Sequence, residues 1–237
     1  DVARVKTRQK ICQFLEDLFG VNNTMNDQRI FQETLPSSTA RVVELLQAKR
    51  PIFLRDFYLS GGTALSLLIG HRESEDLNFF NVNAFDPRVV ERELKKFGLL
   101  EQTELAQGTL NTFLDGVKFQ FLEYPYALIE PTISWGSIQL SSIADIACTK
   151  LQTIGMRGSK KDFIDLYYLL ESYSLIQLFA LMDEKYQEIN YSKTHILKSL
   201  VYFEDANQQP MPRMHHDLSW DTVKEKMTEV VREVRLE

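Results

Sequence analysis

Cysteine is almost missing from this chain. Cys12 and Cys148 stand far apart in 237 residues, which excludes a disulfide framework and points to a reducing compartment. Histidine is scarce too, and His71, His195, His215 and His216 show no zinc-ligand spacing. No uncharged apolar run reaches the roughly 18–20 residues that a membrane helix needs. The opening DVARVKTRQK lacks the apolar segment of a secretory signal. Positive charge is not in excess: 27 Lys+Arg face 33 Asp+Glu, a formal net charge of −6, which argues against wholesale coating of nucleic acid but leaves room for a local basic channel. Internal repeats and low-complexity tracts are absent as well. The expectation is a soluble cytoplasmic protein without a membrane partner.

What is present is ordinary globular material, 44% hydrophobic and 25% charged, in a chain long enough to bury a sizeable core. Val2 to Phe19 spaces Val5, Ile11, Cys12, Leu15, Leu18 and Phe19 as an amphipathic helix. Ser37-Ser38 can cap a second helix running through Gln47, with Val42, Leu45 and Leu46 inward. The texture then changes. Phe57-Tyr58-Leu59 reads as a short strand, Ser60-Gly61-Gly62 as a tight turn, and Thr63 to Ile69 as the start of a helix. Leu77 to Val82 is another strand, and Asp86-Pro87 opens a helix to Phe97. Asn111 to Leu114 and Val117 to Leu122 are joined by Asp115-Gly116, the signal for a two-residue type I′ hairpin. Beyond Ser142 the pattern is helical, over 142–156, 160–171, 174–188, 191–203 and 219–235, with Gln209-Pro210-Met211-Pro212 as a late loop. The division that follows is 1–50 as N-terminal helices on the core, 51–140 as an α/β core, and 141–237 as a helical C-terminal domain.

Three groups of residues invite chemistry. Gly61-Gly62-Thr63 sits at a strand-to-helix turn, where glycines allow close approach and helix N–H groups suit a phosphate; such a turn also occurs for geometry alone. Within His71-Arg72-Glu73-Ser74-Glu75-Asp76-Leu77-Asn78, strand alternation puts Asp76 and Asn78 on one face, as a Mg²⁺ site for a nucleoside triphosphate or as a simple strand-end cap. Lys150 and Arg157 are seven apart, two turns along one helix face, where both could meet phosphate. Asp162 can close a capping box with Ser159, and Asp165 has a solvated helix face as its plain alternative.

Together these motifs resemble a known family. FYLSGGTALSLLIGHRESEDLNFF is similar to the signature of the AbiEii/AbiGii toxins, nucleotidyltransferase-like proteins of the DNA polymerase β superfamily. GVKFQFLEYPYALIEP, IADIACTKLQTIGMRGSKKDFIDLYYLL and SLVYFEDANQQPMP followed by SW agree in order, from about Leu35 to Val230. The resemblance implies an α/β (α+β) fold: a minimal nucleotidyltransferase mixed sheet flanked by helices, then a helical C-terminal domain. It implies phosphate binding at Gly61, Gly62 and Thr63, a metal-binding carboxylate at Asp76, a triphosphate contact at Lys150 and an acidic motif at Asp162 and Asp165. It also implies an NTP substrate with Mg²⁺, a tRNA or other RNA acceptor, and a cognate antitoxin.

The chain departs from the family's Asp-x-Asp, because the second position is Asn78. The resemblance also implies a third carboxylate in the hairpin, where alternation sets Lys118, Gln120 and Leu122 on one face and Gln120 is the residue that matches the family's position. Glu123 falls on the opposite face. One carboxylate of three remains, and His71 is the conceivable base. Two readings follow from different classes. One is an active Mg²⁺-dependent transferase of nucleoside monophosphate to an RNA or protein hydroxyl, with Arg157, Lys160 and Lys161 as a basic rim. The other is a catalytically impaired NTP-binding or partner-binding protein of the same fold. A third, plainer reading treats both halves as scaffold alone.

Overall fold

A computed structural model describes residues 29–234. The helix expected over Val2 to Phe19, and Cys12 with it, lie outside the described residues. A mixed sheet of seven strands runs in the order β3-β4-β5-β2-β1-β7-β6. The strands are β1 (Tyr58–Ser60), β2 (Leu77–Asn81), β3 (Leu100–Ala106), β4 (Thr109–Leu114), β5 (Val117–Glu123), β6 (Ile133–Trp135) and β7 (Ile138–Leu140). β2 is antiparallel to β1 and parallel to β5, and β7 is parallel to β1.

Alternation explains the core. Leu77, Phe79, Phe119, Phe121, Leu110 and Leu114 are all buried on one face. Phe79 stacks on Phe121 at 5.2 Å and on Phe119 at 6.1 Å, with rings 13° and 14° apart. Phe57 meets Phe121 edge-on at 5.1 Å, so aromatic geometry as well as area holds this layer. Helix α1 (Ser37–Lys49) and a 3-10 turn at Ile52–Asp56 precede the sheet, and α3 (Pro87–Leu94) packs against β3 and β4.

Between β1 and β2 lies α2 (Gly61–Ile69), with every residue from Thr63 to Leu68 buried. A helix apolar all round needs cover on all sides. It receives that cover from the sheet strands β1 and β2 and from α4 (Ile143–Met156) and α5 (Lys160–Leu169). The remaining helices are α6 (Leu175–Lys185), α7 (Lys193–Leu200), α8 (Glu204–Asn207) and α9 (Trp220–Glu233). Lys185 Nζ reaches Asp145 at 2.6 Å and the Ala127 carbonyl at 3.0 Å, tying α6 and α4 to the loop after β5.

The sequence expectations needed local correction. Ser37 is the first helical residue of α1 rather than its cap; Pro36 holds the cap position without a side-chain hydrogen bond, and Thr39 Oγ1 bonds the Glu75 carbonyl instead. Val43 is buried in the position expected of Leu45. β1 begins one residue late because Phe57 ends the 3-10 turn, and α2 opens at Gly61, two residues early. The helix opened by Asp86 ends at Leu94, not Phe97; the 174–188 segment stops at Lys185; and 191–203 is a helix only over α7, with α8 separate. β3, β6 and β7 were not anticipated. β3 (LEQTELA) is a largely exposed, acid-rich edge with a register shift between Glu101 and Glu104, and β6 and β7 have three residues each. The hairpin stands as expected: Asp115 (φ 49°) and Gly116 (φ 79°) both have the positive φ of a type I′ turn.

Phe121→Ala should cost about 3–5 kcal/mol, since it removes a ring from the centre of the stacked layer. Urea unfolding of the two proteins measures it; a loss under about 1 kcal/mol would mean the layer repacks freely.

Candidate functional site

The site is built where β1 turns into α2. Ser60 ends β1 in an extended conformation and makes no side-chain cap, so the N–H groups that open α2 have no side chain from the cap position across them. Gly61 has φ 70°, a left-handed value that favours glycine. A Cβ there would stand 3.2 Å from Asn78 Nδ2, so Asn78 lies against the turn. A Cβ on Gly62 would overlap Arg72 Nη2, so the absence of a side chain admits the guanidinium. The hydroxyl of Thr63 is committed elsewhere: it donates to the Asp76 carbonyl at 2.5 Å and accepts from Ser74 Oγ at 2.8 Å. Thr63 therefore fixes the start of β2 and can offer a ligand its backbone N–H only.

Register places the acidic and amide side chains. Asn78 stands opposite Ser60 on one side and Gln120 on the other, and Gln120 stands opposite Asn111 in β4. Gln120 Nε2 donates to Asn111 Oδ1 at 2.9 Å. Gln120 thus occupies the strand position expected of a third carboxylate. Glu123 does not replace it: it pairs with Asn81 and packs against Gly108 at the β3–β4 turn. Asp76, one residue before β2, is half-buried, and its charge helps hold Arg72 protonated. Among the described residues no group of three or more His, Cys, Asp or Glu could hold a metal ion. Magnesium keeps several waters and takes one or two carboxylates plus phosphate oxygens. These residues fit one such ion brought by a nucleotide and do not fit a pair of ions held by the protein.

Behind the glycine turn is a buried ionic cluster centred on Asp165. Arg72 binds its carboxylate with both Nε (2.7 Å) and Nη2 (2.9 Å), Lys150 Nζ lies at 2.6 Å, and His71 Nε2 at 2.8 Å. Lys150 also bonds Asp162 at 2.8 Å, and Asp162 accepts from Ser159 Oγ at 2.6 Å, completing the capping box of α5. All five charged or titratable side chains are buried, Asp165 completely. Burial pushes the Asp165 carboxyl up, but the charges of Arg72 and Lys150 and the bonds from His71 and Arg72 outweigh it and hold it well below the usual carboxylate range. Burial pulls Lys150 down, and Asp165 and Asp162 more than restore it. For His71 burial wins over Asp165, and its pKa falls. The neutral ring donates from Nε2 to Asp165, which leaves Nδ1 as a buried acceptor without a partner.

The residues nominated by sequence therefore separate into groups. Gly61, Gly62, Asp76 and Asn78 meet at the turn. Lys150, Asp162 and Asp165 meet one another behind it, so Asp165 is no solvated face. Arg157 does not share a helix face with Lys150: α4 ends at Met156, and Arg157 is its exposed, extended cap. Lys160 leaves the expected basic rim, being buried with Nζ on the Gln209 carbonyl and 5.2 Å over the Trp220 ring. His71, almost fully buried and bonded to Asp165, is unavailable as a base to an outside hydroxyl. Burial pushes the Cys148 thiol up to about 12, so it stays protonated. Arg72 was missed. Its signal was the position of a cation at the strand entrance with two aspartates at KDFIDL to receive it.

A cleft of about 360 Å³ opens beside this cluster, lined by Arg72, Ser74, Lys161, Pro212 and Arg213 among others. The loop bearing Arg213 is fixed across the site by its carbonyl, which accepts from Glu73 at 2.8 Å, and by His215 N–H to the His71 carbonyl at 3.0 Å.

The neutral His71 makes an acid-sensitive fold. Its pKa in the folded state lies below the ordinary value near 6.5, so its contribution is complete above about 6.5 and shrinks as pH falls below it. Urea stability should be flat between about pH 7 and 8 and decline below 6.5, while His71→Gln should delay the decline to the carboxylate range near 4. An unmoved onset would contradict the neutral assignment.

Comparison with known proteins agrees with this architecture. The model of the nucleotidyl transferase AbiEii toxin family, of a type IV toxin–antitoxin system, matches residues 44–126 and 119–234. The uncharacterized protein aq_aa25 of Aquifex aeolicus (strain VF5) is 39% identical over 186 residues, 75% of this chain and 87% of that protein. Among solved structures, MenT4, a nucleotidyltransferase toxin of Mycobacterium tuberculosis, aligns with a TM-score of 0.51 at 13% identity, over 84% of this chain and 87% of that one. JHP933 of Helicobacter pylori aligns with a TM-score of 0.49 at 15% identity, over 84% and 92%. The MenT4 likeness establishes the mixed sheet flanked by helices as the fold, and the family match establishes that the chain belongs to the AbiEii nucleotidyl transferase toxin family.

Proposed function

We propose that this chain takes an NTP at the opening of α2 and transfers its nucleoside monophosphate to a hydroxyl of an RNA acceptor, a tRNA end being the first candidate. A cognate antitoxin would hold it in check. The observation that carries the reading is the juxtaposition at the turn: Gly61 in a left-handed conformation, Asn78 against it, and Arg72 lying over Gly62. Phosphate oxygens suit the uncapped N–H groups there. Asp76 would hold the Mg²⁺ that accompanies the triphosphate; when bound, that ion polarises the transferring phosphoryl group. The acceptor oxygen forms its bond to the α-phosphorus as the bond to the bridging oxygen breaks, and pyrophosphate leaves in line. The hydroxyl proton leaves to water in the open cleft, because His71 is sealed behind Arg72 and Asp165. Exposed Lys161 lines that cleft and suits an RNA backbone, while Arg213 there pairs with Glu73 at 3.4 Å.

A second reading is favoured by a specific observation: Asn78 and Gln120 present amides where two carboxylates were expected, and Lys150 answers two aspartates rather than open space. On that reading the chain binds nucleotide without turning it over.

Transfer of label from NTP to a tRNA pool tests the two. Asp76→Ala should lower transfer by at least about 100-fold, the size of effect expected on losing a group at the reacting centre. Transfer unchanged in that variant would remove Asp76 from the mechanism, and nucleotide binding without any transfer by the native chain would establish the second reading.

A further inference from the structure

The face that carries Asn78 has exchanged acids for donors, and the exchange is spatially coherent. Asn78, Gln120 and Asn111 stand in register across β2, β5 and β4. The Gln120–Asn111 bond, with Gln120 Nε2 donating, ties the outer two together at 2.9 Å. Asn78 Nδ2 is the atom closest to the space beside Gly61. A carboxylate at that place would present only lone pairs and would draw a cation; an amide nitrogen presents hydrogens and draws an anion.

Lys118 adds charge of the matching sign. It lies two residues before Gln120 in β5 and so shares its face. It is exposed and has no ion-pair partner among the described residues. Leu77 stands opposite Phe119 in the parallel pair, which sets Lys118 level with Asp76, next to the end of β2 that Thr63 anchors to α2. One carboxylate and one ammonium therefore share a row where several carboxylates would otherwise gather. Their formal charges cancel, and a cancelled row has little hold on a divalent ion but can accept a polyanion.

We propose that this row binds the polyphosphate of a nucleotide directly, through Lys118 and the Asn78 amide with the backbone N–H groups of the α2 opening, so that nucleotide affinity does not depend on a divalent cation. The inference rests on the nucleotide site of the preceding section and changes how that site holds its ligand. Binding and transfer separate: a cation that arrives with the nucleotide serves the transfer step at Asp76, while capture is the work of this chain's own donors.

Titration calorimetry of the full chain with each of the four NTPs, once with Mg²⁺ and once with EDTA, tests this. The native chain should bind one or more NTPs with dissociation constants that differ by less than about threefold between the two conditions. Lys118→Ala, an exposed position whose loss should leave folding intact, should weaken binding in EDTA by about tenfold. The double variant Asn78→Asp with Gln120→Glu should lose binding in EDTA by more than about tenfold and regain it with Mg²⁺. Native binding that appears only with Mg²⁺ would overturn the inference while leaving the nucleotide site standing, as would unchanged affinity in Lys118→Ala. No binding of any NTP in either condition would overturn the nucleotide site and this inference with it.

Discussion

Everything around the glycine turn depends on one buried carboxylate. Asp165 comes from α5, Lys150 from the preceding helix α4, and His71 and Arg72 from the segment between α2 and β2, so a single side chain joins two consecutive helices to a segment more than ninety residues before it. Two cations, Arg72 and Lys150, face two anions, Asp162 and Asp165, while His71 is neutral; the cluster is balanced. Balance is the condition for burying it at all, because a lone charge left behind by losing a partner costs about 3–5 kcal/mol. Arg72 is then not free to choose its place. Its fork is fixed on Asp165, and its outer nitrogen lands over Gly62. The geometry of the candidate phosphate turn is set from behind, by a carboxylate that no solvent reaches.

That arrangement changes what Lys150 can do. A lysine with open space before it would meet a triphosphate as a full positive charge. Here its ammonium lies 2.6 Å from one carboxylate and 2.8 Å from another. An incoming anion meets a neutral group rather than a free cation, and each phosphate contact must be shared with or taken from an aspartate. Donors not committed to a carboxylate lie on the other side of the turn, in N–H groups without a side-chain cap and in the Asn78 amide.

Much of this was legible in the residues. The glycine pair before an apolar stretch marked the strand-to-helix turn, Asp115-Gly116 marked the hairpin, and Ser159 with Asp162 marked a capping box that the structure contains. Alternation set Gln120 on the face away from Phe119 and Phe121, and the family resemblance matched it to the site of Asn78, where the register places it. Other features had no local signal. β3 reads as a polar stretch because a largely exposed edge strand needs no apolar alternation, and β6 and β7 are too short to show a period. The helical spacing of Lys150 and Arg157 misled because the helix, as its expected bounds 142–156 already implied, ends before Arg157, which is extended. Arg72 was readable as a cation in an acidic run but not as the partner of Asp165, since a contact across more than ninety residues leaves no periodicity behind.

The amides are where this chain departs from the carboxylate pattern that the family resemblance implies. The turn itself is well formed: Gly61 has φ 70°, Gly62 makes room for Arg72, and Thr63 ties α2 to β2. The substituted side chains are neither apolar nor scattered. They are donors, in register, with one pair bonded to each other. On the proposal above, a row of donors beside this turn attracts the phosphate of a nucleotide directly, at the opening of a helix.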